Sequence, residues 1–251
     1  MPLLIQGDAR RIPLKDESVD MVFADPPFNV GKKYAGQTDK RDDYYSWCES
    51  WIDQCFRVLK NTGTFYLMAL DRHLEKIFPM MADRGKFINL VKWRNVSASH
   101  SKRSFWSSCQ PILVYGKTEN YKFNTYARVR KIASKNLRWG GYSTGPKGQL
   151  LDYWEDIPFV YAGSIAHPEA ILKPGTNEKA HPCQMPVNLA VRCIVFSTDE
   201  NDIVLDPFMG SGSTAVACDK VNRQFIGMDI SPEYVEMTRK RLDNPQIKMI
   251  V

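Results

Sequence analysis

A chain of 251 residues with 43% hydrophobic and 25% charged side chains can bury a full core, and its composition excludes the disordered and collagen-like classes. The net charge of +6 mildly favours a polyanionic partner. No apolar run approaches the roughly 18 residues of a membrane span, and Met1-Pro2-Leu3-Leu4-Ile5 is cut short by Gln6-Gly7-Asp8, so no signal peptide is expected and the chain reads as cytoplasmic. The six cysteines form no C-x-x-C pair and no zinc-like spacing with the four histidines, so buried free thiols are expected, with no metal and no disulfide.

In chain order, Leu3-Leu4-Ile5 reads as a short buried strand, and Val19 to Ala24 as a second that the two prolines of Asp25-Pro26-Pro27-Phe28 must end. From Asp42 to Lys60 the apolar residues Tyr44, Trp47, Trp51, Cys55, Val58 and Leu59 recur at helical spacing, and Asn61-Thr62-Gly63 is expected to stop that helix. Thr64 to Ala69 is the next strand, a helix runs from about Arg72 to Asp83, and the strands Phe87–Trp93 and Pro111–Tyr115 flank a basic, serine-rich loop. The pattern then dissolves until about Gly175. Alternation resumes with a helix from Pro186 to Phe196, a strand Ile203–Leu205, a helix from Ser213 to Lys220, a strand Gln224–Met228 and a helix from Pro232 to Leu242. Ser231 is a candidate N-cap and Pro232 suits the first helical position. Strands alternating with helices predict a parallel α/β sheet covered on both faces.

Two motifs carry chemistry. The strand Ile203–Leu205 runs into Asp206-Pro207-Phe208-Met209-Gly210-Ser211-Gly212, and Ser213-Thr214 opens a helix of small residues. Such glycines permit a tight turn and close approach of backbone to a ligand. A dinucleotide site would want a third glycine and would set Asp206 beside a pyrophosphate. A carboxylate there suits a cationic ligand better, namely the ammonium and sulfonium of S-adenosylmethionine. Asp229, ending the following strand, suits ribose hydroxyls. The second motif is Asp25-Pro26-Pro27-Phe28. An exocyclic amine on a nucleobase is a poor nucleophile, because its lone pair is delocalised into the ring. A carboxylate (Asp25) and a rigidly placed carbonyl (Pro26) that accept its two N–H groups would direct that lone pair at a methyl donor, and Phe28 offers a stacking face for an extruded base. Pro27 completes the rigid turn.

With these motifs in this order the chain resembles a β-type DNA amino-methyltransferase, the group that acts on adenine N6 or cytosine N4. Asp25 to Phe28, with Asn29 next, is similar to motif IV; His181-Pro182-Cys183-Gln184-Met185-Pro186 to motif X; Asp206–Gly212 to motif I; Phe225–Asp229 to motif II; and Gly7-Asp8 to the family's N-terminal element. Cys183 and Met185 stand where threonine and lysine are usual, and Gln110 where glutamate is frequent. The resemblance implies a Rossmann-like, seven-stranded S-adenosylmethionine-dependent fold, circularly permuted, with an inserted target-recognition region. Residues 1–117 would form the catalytic half, 118–175 the insertion and 176–251 the cofactor half. It implies that Asp8, His181, Gln184, Asp206, Phe208, Gly210, Gly212, Thr214 and Asp229 serve the cofactor. Asn29, Lys92, Arg94, Lys102, Arg103, Arg128, Arg130 and Lys131 are the candidate contacts to double-stranded DNA. Between Lys117 and Gln149 eight cations face the single acid Glu119, more than the net charge of the whole chain. Adenine N6 is the expected target, because D-P-P is commoner among adenine enzymes and S-P-P among cytosine N4 enzymes. A homodimer and a cognate restriction endonuclease are partners common in this group.

Overall fold

The computed structural model describes residues 2–94, 103, 105, 107–125, 150–160, 169–173, 175–177 and 180–244. Lys102, Arg128, Arg130 and Lys131 lie outside them. At the centre is β2 (Val19–Ala24), buried at every position as a strand covered on both faces must be. It pairs in parallel with β9 (Ile203–Asp206) on one side and β5 (Leu59–Met68) on the other. Outward from β9 come β10 (Gln224–Asp229) and β1 (Leu3–Gln6), both parallel. Outward from β5 come β7 (Cys109–Gly116), antiparallel to both its neighbours, then β6 (Lys86–Arg94) and β8 (Tyr153–Trp154). The order is β1-β10-β9-β2-β5-β7-β6-β8. All seven expected strands are present. The eighth, β8, is a two-residue strand with no readable period.

Helices cover both faces. On one lie α1 (Tyr44–Val58) and α2 (Asp71–Ala82). The spacing of Tyr44, Trp47, Cys48, Trp51, Ile52, Cys55 and Phe56 turns one stripe of α1 onto the sheet. On the other lie α3 (Val187–Ser197), α4 (Ser213–Lys220) and α5 (Pro232–Asp243). Nearly every residue of α3 is buried, which accounts for its lack of a polar face. No described helix is long and apolar enough to cross a membrane.

Two local expectations need correction. Asn61-Thr62-Gly63 does not stop α1, which ends at Val58; those residues lie inside β5, where the β2–β5 register slips between Val19 and Met21. Pairing with β2 overrides the local turn preference. A Cβ on Gly63 would lie 2.5 Å from Leu59 Cδ1 and 2.9 Å from the Asp20 carbonyl, so the glycine serves close packing. At α5, Pro232 does open the helix, but the Ser231 side chain makes no capping bond.

The described ends of the aperiodic middle are tied to the core. Lys122 pairs with Asp199 and Asp202 at 3.1 and 2.6 Å, and the Asn124 amide donates to the carbonyls of Val195 and Thr198. Farther on, Asp156 forms a buried two-pronged pair with Arg192 of α3, whose guanidinium lies 5.0 Å from the Trp154 ring. Breaking one partner of such a pair leaves a buried charge, at a cost of about 3–5 kcal/mol.

Candidate active site

Because β1, β10, β9 and β2 are parallel, their carboxyl ends share one edge of the sheet. In open α/β sheets that edge is where ligands bind. Each of the four strands delivers an aspartate there: Asp8 just beyond β1, Asp229 and Asp206 as the last residues of β10 and β9, and Asp25 just beyond β2. All four line one cavity of about 530 Å³, together with Pro26, Pro27, Phe28, His181, Phe208, Gly210 and Thr214. The two motifs that sequence places at opposite ends of the chain therefore face a common space.

The glycine loop is held from several sides. Asp206 accepts from the Phe208 N–H at 2.9 Å and from Thr214 Oγ1 at 2.6 Å. The Gly210 N–H donates to Asp229 Oδ2 at 3.0 Å, and its carbonyl accepts from Thr238 Oγ1 at 3.0 Å. Gly210 and Gly212 sit at φ of 44° and 76°, the left-handed region. Gly212 shapes this turn without lining the cavity. Phe208 packs edge-on against Trp51, with ring centroids 5.0 Å apart, so one face of the loop is fixed to α1.

Electrostatics divide the acids. Arg10 grips Asp8 through Nε and Nη2 and holds its carboxyl below the usual range. Burial, reinforced by the neighbouring Asp206, pushes Asp25 up to about 7; burial also pushes Asp206 up to about 7 and raises Asp229. The cavity thus concentrates carboxylates that gain from an incoming cation. It also has the dimensions of a small-molecule pocket. These properties fit S-adenosylmethionine, which carries both an ammonium and a sulfonium.

A stability prediction follows from the sign of these shifts. Asp25 and Asp206 bind protons more tightly folded than unfolded, where carboxyls titrate near ~4. Their contribution to stability is complete below about pH 4 and is lost as pH rises through about 7. Asp206→Asn keeps an oxygen for the Phe208 N–H and removes the buried charge. Its cofactor-free form is expected to be more stable than wild type at pH 8 by on the order of 2–4 kcal/mol, and so to unfold at a higher temperature, with the gap closing toward pH 5. Thermal melts across that range check this; a gap that does not change with pH would contradict it.

A short hairpin, β3 (Lys33–Tyr34) with β4 (Gln37–Thr38), lines the cavity through Tyr34, Ala35, Gln37 and Thr38, with the Tyr34 ring 5.9 Å from that of His181. Its base is cinched by Asp39, which accepts from the N–H groups of Val30, Gly31 and Lys32. Its tip turns at Ala35 and Gly36, both at positive φ, and the Ala35 N–H donates to Tyr234 Oη of α5 at 2.9 Å. Lys32 Nζ and Tyr34 Oη reach Cys183 Sγ at 2.9 and 3.4 Å. The motif X lysine position holds Met185, which is buried, and Cys183 receives a cation, Lys32, from the base of the hairpin.

Several expected site residues stand elsewhere. The Gln184 amide is buried and bonded to residues 169 and 171, away from the cavity lining. Both ends of the Asn29 amide bond the Arg41 backbone, and Asn29 itself is at φ 56°. Lys92 and Arg94 alternate with buried Val91 and Trp93, which leaves both exposed toward the end of β6; Arg94 lies 3.9 Å from Glu155. Arg103 is exposed. Sequence reasoning missed Arg10, Tyr34, Arg41 and Tyr234, all of which line the cavity. Only the density of aromatics around them hinted at it.

Comparison with known proteins agrees with this geometry. A family model described as DNA methylase, of the N6/N4 type, matches residues 19–240. The chain is 33% identical to the DNA adenine methyltransferase YhdJ of Escherichia coli (strain K12), over 96% of this chain and 82% of that protein. It is 32% identical to the Type II methyltransferase M.HpaI of Haemophilus parainfluenzae, over 92% and 70% respectively. Among solved structures, the cytosine-N4-specific PvuII DNA methyltransferase superposes with a TM-score of 0.68 at 18% identity, covering 98% of this chain and 90% of that one. A sheet whose strand ends gather four aspartates about one cavity, in a chain matched by that family model over most of its length, belongs to the N6/N4 DNA methylase family of S-adenosylmethionine-dependent DNA methyltransferases.

Proposed function

We propose that this protein transfers a methyl group from S-adenosylmethionine to the exocyclic N6 amino group of an adenine swung out of double-stranded DNA. The observation that carries the reading is the convergence of Asp25-Pro26-Pro27-Phe28 and the glycine loop on one acidic cavity. When bound, S-adenosylmethionine supplies an electrophilic methyl on a sulfonium. Asp206, Phe208, Gly210, Thr214, His181, Asp229 and Asp8 would hold it. Gln184 and Gly212 act behind them, the first by fixing residues 169–171 and the second by shaping the turn.

Asp25, once ionised, accepts one N–H of the target amine and the Pro26 carbonyl accepts the other. The nitrogen is drawn toward tetrahedral geometry and its lone pair is directed into the cavity. Phe28 stacks on the extruded base. The charged product nitrogen loses its extra proton to solvent, and no covalent enzyme intermediate is required. Lys92, Arg94 and Arg103, with Lys102, Arg128, Arg130 and Lys131, would supply phosphate contacts, and Asn29 would shape the loop that meets the DNA. The insertion at 118–175 would read sequence. A second copy of the chain, a cognate restriction endonuclease and a cytoplasmic setting complete the proposal; the Type II designation of M.HpaI supports the endonuclease.

Adenine is favoured by the aspartate at the head of the motif and by the likeness to YhdJ. Mass spectrometry of nucleosides, from DNA of an otherwise unmethylated host expressing the protein, is expected to find N6-methyladenine. N4-methylcytosine alone would transfer the proposal to cytosine. Neither product would mark an inactive DNA-binding relative.

A further inference from the structure

The carbonyls that follow Asp25 are not equivalent. Tyr44 Oη donates to the Pro27 carbonyl at 3.2 Å, and His73 Nε2 lies 2.9 Å from the Phe28 carbonyl. A carbonyl can only accept, so Nε2 carries the proton. In the neutral ring Nδ1, 3.0 Å from Tyr45 Oη, then accepts from that hydroxyl. The imidazole is thereby held between two partners, and when neutral it is a single tautomer. Its ring centroid lies 4.8 Å from that of Tyr44, and it is buried where the first turns of α1 and α2 meet. Burial, with the nearby cations Arg72 and Lys40, favours the uncharged form and outweighs the Phe28 hydrogen bond, which favours the charged one. With the second and third carbonyls of the turn taken, and proline contributing no N–H at positions 26 and 27, the Pro26 carbonyl is the one left for a substrate amine.

We infer that His73, oriented by Tyr45 and aided by Tyr44, is a positioning residue: it locks the Phe28 end of the turn so that the Asp25 carboxylate and the Pro26 carbonyl present a fixed pair of acceptors. The inference rests on the methyl-transfer reading above. It requires that loosening His73 act on turnover rather than on cofactor binding. A displacement of about 1 Å at a reacting group costs on the order of 10²-fold in rate.

The test compares wild type with His73→Leu, His73→Gln and Tyr45→Phe in the full chain, using tritiated S-adenosylmethionine and unmethylated bacterial genomic DNA. His73→Leu is expected to lower kcat roughly 10- to 100-fold, leaving the cofactor Kd and the KM for DNA within about threefold. His73→Gln, which can place an amide N–H near the Nε2 position, should recover most of that loss. Tyr45→Phe, altered at a half-exposed side chain, should fall between. Nitrogen-15 spectra of the wild-type imidazole should show a protonated Nε2 and a bare Nδ1 at neutral pH. Unchanged kcat in His73→Leu, a loss confined to cofactor Kd or DNA KM, or the opposite tautomer would overturn the inference alone. Absence of methyl transfer by wild type would remove the functional reading, and this one with it.

Discussion

Asp25→Ala is expected to lower methyl transfer to DNA by roughly 10²–10³-fold, the loss typical of removing one preorganised hydrogen-bonding group from a reacting centre. Cofactor affinity should stay within a few fold. The two outcomes separate because the carboxylates are not redundant. Asp25 sits beyond β2, at the head of the rigid turn, whereas Asp206 is anchored in the glycine loop by Phe208 and Thr214. Deleting Asp25 leaves those two anchors of Asp206 in place, so Asp206 keeps its attraction for a cation. In wild type, Asp25 is the stronger acceptor of an N–H when it is ionised. With burial raising it to about 7, kcat/KM is expected to climb between pH 6 and pH 8. Single-turnover transfer and calorimetric cofactor binding test this together. Transfer within tenfold of wild type in Asp25→Ala would deny Asp25 its role as acceptor.

Gly210→Ala should do the reverse, weakening S-adenosylmethionine binding by on the order of 100-fold before any chemistry is reached. A left-handed residue bearing a Cβ costs about 1–2 kcal/mol, and Gly210 is at φ 44°. The added carbon would also lie 2.7 Å from His181 Nε2 and 3.1 Å from its Cε1. That ring has little room to retreat, since it packs 4.7 Å from Tyr234 and 5.9 Å from Tyr34. Relief must come from the loop, which displaces the Gly210 N–H from Asp229. The two penalties together reach about 2.8 kcal/mol for a hundredfold change, at about 1.4 kcal/mol per tenfold. Unchanged affinity by titration calorimetry would show that the loop does not touch the cofactor.

Much of this was legible in the residues. Apolar runs such as Met21–Ala24 and Ile203–Leu205 give away strands buried on both faces, and the acid ending each run marks the functional edge. The failures share a cause. The arms of the hairpin at 33–38 and the strand at 153–154 are each two residues long, too short for any period. Asn61-Thr62-Gly63 has turn composition but is held extended by β2. Gln184 and Asn29 occupy motif positions, yet their amides are spent on neighbouring backbone. His73 was invisible because its role depends on α1, α2 and the turn at 25–28 meeting in space. A lone histidine in a helical stretch announces nothing of that.

The pairing of β2 with β9 has a consequence for how the chain comes off the ribosome. The most buried strand of the sheet, Val19–Ala24, gains its β9 neighbour only when residues near 204 have been made. Likewise β1 must wait for β10. Until then the early half holds a greasy, unpaired strand edge, the kind of surface on which nascent chains stick to one another. Contacts this distant in sequence also slow folding. Chains truncated before β9 should therefore accumulate as aggregates, and chaperone supply during synthesis should govern the yield of soluble protein.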